Sequence, residues 1–402
     1  MTARVTARRA MTHPFESSVR QLDMPLICVI GILLCGGLVM LTSASISIAQ
    51  RNFGDPFFYF ERQLIAVCIG LAGAIFMLRV PTHIWERFGL ALVCLAAALL
   101  ISVFVPGLGH TVNGSTRWLN VAGMNVMQVS EPVRLLMLMY ISGYAVRHRQ
   151  ELRERFVGFA KPMLIVAATC VLLLAQPDFG AAVLLLTITL AVLFIGGARL
   201  RDFFACSLAV AGALALLALT SPYRMVRLTA FLDPWADPYN SGFQLTQSLI
   251  AIGSGKWFGV GLGSSVQKLF YLPEAHTDFV FAVIAEEFGL LGSLVLIGLF
   301  AFLVWRALGI ARESAASGRL YQAYLAFGFA IWQGIQVFIN VGVNMGILPT
   351  KGLTLPLISY GRSSLVVTLV GLGLLLRIDY ENRQLAAQGK RTRRRKPRSR
   401  QS

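Results

Sequence analysis

The chain is 402 residues long, 56% hydrophobic and only 14% charged, against roughly 25% charged in an ordinary soluble domain. With a mean hydropathy of +0.67, this composition excludes a soluble globular enzyme and points to a membrane protein. Much of the net charge of +17 comes from the tail Lys390-Arg391-Thr392-Arg393-Arg394-Arg395-Lys396-Pro397-Arg398. No folded basic domain accompanies that run, so it reads as an orientation signal and a contact for anionic lipids, and no nucleic-acid partner is expected.

A bilayer-spanning helix needs about 20 mostly apolar residues. In chain order, ten runs meet or approach this: 25–48, 63–78, 88–105, 131–146, 162–175, 180–197, 203–220, 279–304, 321–345 and 361–377. The expected fold class is all-α, a polytopic membrane protein of about ten transmembrane helices with a large outward loop between spans seven and eight. The division that follows is a basic tail over 1–22, a transmembrane domain over 23–379 that includes the loop 221–278, and a second basic tail over 380–402. Both tails are expected to be disordered. The apolar core of the first run exceeds the roughly 7–15 residues of a cleaved signal peptide, although Ser43, Ala44 and Ser45 are the small residues a cleavage site would use.

Basic residues alternate along the connections. They gather at Arg4 to Arg20, around Arg79 and Arg87, from Arg147 to Lys161, at Arg199 and Arg201, from Arg306 to Arg319, and in the C-terminal tail. With ten spans all of these fall on one side, which the positive-inside rule makes cytoplasmic, with both termini there. The segments 49–62, 106–130, 176–179, 221–278 and 346–360 then face outward. All six cysteines lie within or beside apolar runs, so neither a disulfide framework nor a metal-binding spacing is present. No tandem repeat supports a solenoid.

The outward segments carry the candidate chemistry. Leu272-Pro273-Glu274-Ala275-His276-Thr277-Asp278-Phe279 brings an imidazole and a carboxylate to the membrane boundary, where a charge is costly unless solvated, paired or used. The plainer alternative is that Thr277 or Asp278 caps the next helix. Glu131 and Arg134, three apart at the start of a span, are helix neighbours able to pair, and such a pair can simply neutralise itself. Asp178 sits in the short Gln176-Pro177-Asp178 link, where capping competes with chemistry. Glu286 and Glu287 lie about 12 Å deeper than Asp278 at about 1.5 Å per residue, and a structural partnership with a basic residue is expected there. The glycine-rich stretch from Gly253 to Gly263 fails as a phosphate loop because Trp257 follows Gly255-Lys256. It is expected to let an amphipathic segment bend along the membrane surface.

Taken together, Asp233-Pro234-Trp235-Ala236-Asp237-Pro238, Gly242 to Ser248, Leu272 to Phe279, Ala285-Glu286-Glu287-Phe288-Gly289 and Pro349 to Gly361 closely resemble the SEDS family. The resemblance covers about residues 23 to 380. Glu274-Ala275-His276 and Pro349-Thr350-Lys351-Gly352 side with its division branch, FtsW, rather than the elongation branch, RodA.

The resemblance implies a peptidoglycan glycosyltransferase at the division septum of the bacterial inner membrane. It would polymerise lipid II into glycan strands on the periplasmic side, release undecaprenyl pyrophosphate, and work with a class B penicillin-binding transpeptidase and other divisome membrane proteins. By the family's motifs Asp278 is the catalytic base, and Glu131, Arg134, Asp178 and Lys351 line the cavity. The chain departs from the family pattern at Pro132, shifted into the first helical turn where proline is tolerated, at Arg134 in place of lysine, and at Arg362 in place of glycine.

The chemistry agrees with that assignment. Joining a sugar hydroxyl to a donor on a lipid pyrophosphate with inversion needs one base and cationic stabilisation of the leaving group, without the second carboxyl of a glycoside hydrolase. Arg117, Arg134, Arg224, Arg227 and Lys351 are candidate pyrophosphate contacts, and His276 is a further candidate for substrate binding. No motif specifies a cofactor, although a divalent cation, Mg or Mn, bridging carboxylate and pyrophosphate would suit the chemistry. The competing readings are a transporter (flippase) of the lipid-linked sugar and a non-catalytic division scaffold.

Overall fold

A computed structural model describes residues 22–395 apart from 113, 114, 122, 123, 221 and 351. It is a bundle of long helices, and every expected span is helical. Among the described residues, seven helices are long and apolar enough to cross a membrane: α1 (Met24–Phe53), α2 (Phe58–Arg79), α7 (Phe156–Ala175), α9 (Leu200–Leu219), α12 (Val280–Ala316), α13 (Leu320–Asn344) and α14 (Arg362–Arg395). The shorter apolar helices α4 (Gly89–Ser102) and α8 (Phe179–Ile195) and the charged α5 (Ser130–Arg147) complete the ten. The chain is a multi-pass membrane protein. Short helices α3 (Thr82–Arg87) and α6 (Arg149–Glu154) turn the chain at one end of the bundle. The end bearing residues 176–179, 272–279 and 346–360 is the site end.

Local sequence accounts for the boundaries. Asp23 caps α1 by accepting from the Leu26 amide, Pro25 lies in the first turn, and Gly54 closes the helix in the left-handed conformation. Pro132 falls within the first turn of α5, where its missing N–H costs nothing. The 162–175 run extends back through Pro162 to Phe156, giving a full-length helix. Three features go beyond the expected outline. First, the 106–130 segment forms a three-stranded antiparallel sheet, β1 (Gly109–Val112), β2 (Ser115–Val121) and β3 (Met124–Gln128), in sequential order. It pairs His110 with Trp118 and Trp118 with Gln128. Second, the 221–278 loop contains α10 (Pro222–Leu232) and α11 (Phe243–Ser254). Third, α14 runs through position 380 to Arg395, because Arg383 pairs with Asp379 and Asp23 instead of entering a disordered tail. The other tail, up to residue 21, lies outside the described residues.

The glycine-rich stretch also departs from its expected role. Gly289 breaks α12 at φ 66°, ψ −162°, and the segment after α11 fills the break. The amides of Val260 and Gly261 donate to the carbonyls of Glu286 and Glu287, and those of Leu290 and Leu291 to Lys256 and Trp257. Backbone groups freed at membrane depth must find protein partners, and this segment supplies them. A Cβ on Gly289 would sit 2.4 Å from the Gly259 nitrogen, so both the φ and the close approach demand glycine here.

Candidate functional site

Asp278 sits on a tight turn just before α12. Glu274, at φ 55°, begins the turn, and its carbonyl accepts from the Thr277 and Phe279 amides. The helix N-cap falls on Phe279, which makes no side-chain capping bond. Two amides from α13 fix the turn instead. Asn340 Nδ2 and Asn344 Nδ2 donate to the Asp278 carbonyl at 2.9 and 3.0 Å. Asn340 also donates to the Leu353 carbonyl at 2.6 Å, and Asn344 Oδ1 accepts from the Ala282 amide at 3.1 Å. Both asparagines are buried. They lie four apart on one helix face, and sequence reasoning missed them. Their signal was a pair of amides at that spacing inside an apolar run.

The strip Gly352-Leu353-Thr354 connects the other candidates. A Cβ on Gly352 would lie 2.9 Å from Asp278 Oδ2, and Leu353 packs 3.3 Å from where a Gly180 Cβ would be, beside Asp178. The Thr354 carbonyl accepts from Gln336 Nε2 at 2.9 Å. Gln336 Oε1 in turn accepts from Arg134 and from Trp332 Nε1. Arg134 pairs with Glu131, as the spacing predicts, and lies 5.3 Å from the Trp332 ring centroid. Arg134 is 1% exposed and sits among these partners. Asp178 both caps α8, through the Ala181 amide at 3.1 Å, and accepts from Gln128 at 3.4 Å. The structure therefore ties Asp278, Asp178, Glu131 and Arg134 to one strip.

Arg117 on β2 donates from Nε to the Gln176 carbonyl at 3.1 Å and from Nη2 to that of Pro177. It thereby ties the sheet to the turn that carries Asp178. Lys351 and the side chains of Arg224 and Arg227 lie outside the described residues. His276 packs 4.6 Å from the Tyr59 ring, and its carbonyl accepts from the Tyr360 amide at 2.9 Å. Burial holds its imidazole below the ordinary 6.5, with Glu274 pulling the other way. Gln63 grips both sides of Tyr360, donating to the Ser359 carbonyl and accepting from Gly361. Arg362, where the family has glycine, opens α14 without a positive φ.

Of the deeper carboxylates, Glu287 pairs with a basic residue, as expected, though the sequence did not reveal which. Lys268, 5% exposed, donates to Glu287 at 2.7 Å and to Ser43 Oγ at 2.9 Å. Glu286 accepts from Ser265 and from the Val266 amide. Among the described residues, no group of three His, Cys, Asp or Glu side chains is placed to hold a metal ion.

Residues 24–384 of the chain match the family model described as "Cell cycle protein", FTSW_RODA_SPOVE. The chain belongs to this family. Within it the similarity is to FtsW. The probable peptidoglycan glycosyltransferase FtsW of Thioalkalivibrio sulfidiphilus is 56% identical over 90% of this chain and 90% of its own. That of Legionella pneumophila is 50% identical over 92% and 94%. Among solved structures, one describing coordination of polymerization and crosslinking by a peptidoglycan synthase complex superposes with a TM-score of 0.72 at 30% identity, covering 90% of this chain and 98% of that chain. The rod shape determining protein RodA of Thermus thermophilus gives 0.66 at 30% identity, covering 90% and 97%.

Proposed function

We propose that this FtsW-family chain is a peptidoglycan glycosyltransferase that joins lipid II units into glycan strands at the division septum and releases undecaprenyl pyrophosphate. Asp278 is the general base. Its backbone is held by two buried amides and its carboxylate lies over a glycine, and this arrangement carries the assignment. Rigid placement of one carboxylate is what removal of a proton from the attacking hydroxyl requires. Asp178 and the Glu131–Arg134 pair shape the wall next to it, and Lys351 is the cation assigned to the pyrophosphate. No step is routed through a metal.

The alternation of basic segments supports cytoplasmic termini and a site end facing the periplasm of the inner membrane. Single cysteines at Asp237 and Arg394 should then react oppositely with an impermeant thiol reagent in spheroplasts, and equal labelling would refute this orientation. The name of the synthase complex supports a crosslinking partner, here a class B penicillin-binding transpeptidase, among other divisome proteins.

The break at Gly289 favours a second reading, because transporters place substrate at interrupted helices. In this chain, however, backbone of the 256–261 segment fills the break and Lys268 neutralises Glu287 beside it. The experiment is Asp278→Asn, which keeps size and removes the base. Polymerisation of labelled lipid II should fall by about 10²–10⁴-fold, while thermal stability and lipid II binding persist. Near wild-type polymerisation by a stable Asn variant would reject the assignment.

A further inference from the structure

A cavity opens at the end of the bundle opposite Asp278. It measures about 620 Å³ and is lined by His83, Glu86, Arg87, Gly89, Leu90 and Arg147, so it is formed by α3, the start of α4 and the end of α5. Arg147 is seated in it by design of the backbone. Its Nη1 donates to the Glu86 carbonyl at 2.8 Å. The guanidinium also rests against two glycines, where a Cβ would lie 2.7 Å from it at Gly89 and 3.0 Å at Gly143. Arg87 is exposed and has no ion pair or hydrogen bond among the described residues. Behind the wall the buried Tyr321 hydroxyl lacks a hydrogen-bond partner among the described residues, and its electrostatic neighbours are Glu86 and Arg147. The rim is apolar: Leu90 is 75% exposed and Phe88 54%.

The geometry points to a seat for a phospholipid headgroup, its phosphodiester held between Arg87 and Arg147 and its acyl chains on Phe88 and Leu90. The charges select that ligand. Two guanidiniums against the single Glu86 carboxylate leave one positive charge, which suits a monoanionic phosphodiester better than a dianionic phosphate monoester. Guanidinium groups favour phosphate oxygens because they offer paired donors in a fixed plane. A neighbouring apolar rim on a membrane protein provides what a lipid needs and a soluble phosphate does not. Arg87, without a partner among the described residues, is the group a headgroup would satisfy.

The test uses the full chain in detergent with added phosphatidylglycerol, following bound lipid by native mass spectrometry and thermal stabilisation. Arg87→Gln should weaken binding of one lipid by about ten-fold, the loss of one charge-assisted contact. Arg87→Lys should retain most of the binding. Arg79→Gln, the same charge change at the same end but off the cavity wall, should leave binding unchanged. Inorganic phosphate at the same concentration should neither stabilise the protein nor displace the lipid. Equal losses in Arg87→Gln and Arg79→Gln would reduce the effect to general surface charge and overturn the proposal, as would stabilisation by inorganic phosphate alone. An Arg87→Gln protein with wild-type lipid binding would also overturn it.

Discussion

Removing the Asn340 side chain should disable the site without touching the reacting groups. Its Nδ2 contacts two carbonyls, Asp278 at 2.9 Å and Leu353 at 2.6 Å, and because both are acceptors the nitrogen must face them. Asn340→Ala deletes both bonds. At about 1 kcal/mol each, with the Leu353 carbonyl left in a buried setting, the loss is about 2–3 kcal/mol. Asp278 keeps its bond from Asn344, so the turn should loosen but not unfold. A displacement of the base by about 1 Å costs on the order of 10²-fold in rate. The expected result is a kcat reduced by about 10- to 100-fold with KM nearly unchanged, measured as strand formation from labelled lipid II. The decisive comparison is the double variant. If Asn340 acts through Asp278, then Asn340→Ala should have almost no effect on the residual rate of Asp278→Asn. Multiplying losses would refute the positioning role.

Gly352→Ala should lower turnover with little loss of stability, because the new Cβ would meet Asp278 Oδ2 at 2.9 Å; unchanged kinetics would place the working carboxylate elsewhere. Lys268→Met should lower thermal stability by about 3–5 kcal/mol, since it leaves Glu287 buried without its cation. Adding Glu287→Gln should recover part of that loss, and no recovery would refute the pairing. His276 supplies a pH test: its folded value lies below the ordinary 6.5, so the neutral imidazole is the form the fold favours. That contribution is full above about pH 6.5 and is lost as pH falls through the lower folded value. His276→Phe, which keeps the ring packing, should remove this part of the acid slope in a thermal melt, and an unchanged slope would assign it to other groups.

The helices were legible because apolar length leaves little alternative in a membrane. The Glu131–Arg134 pair was legible because helix geometry alone brings residues three apart together. Interactions between distant segments were not. Lys268 looked like a loop residue, and nothing local says that it pairs with Glu287 and Ser43 across the bundle. The break at Gly289 was hidden because Ala285-Glu286-Glu287-Phe288 reads as uninterrupted helix, and only the backbone of residues 256–261 makes the break tolerable. The sheet left a fainter trace, since Asn113-Gly114 between Thr111-Val112 and Ser115-Thr116 is a hairpin signal. A search for apolar spans passes over it.

The structure also sorts the basic residues in a way sequence could not. A cation at the mouth of a site looks like a phosphate ligand until its donors are traced. Arg117 spends two donors on the carbonyls of Gln176 and Pro177, and Arg134 is sealed among Glu131, Gln336 and Trp332. Burying a guanidinium away from water is tolerable only with such partners. Both arginines tie segments together: Arg117 ties β2 to the turn bearing Asp178, and Arg134 reaches the Thr354 carbonyl through Gln336. The proposed base is held differently: Asn340 ties the Asp278 carbonyl to that of Leu353, so the position of Asp278 relative to the strip depends on one amide of α13.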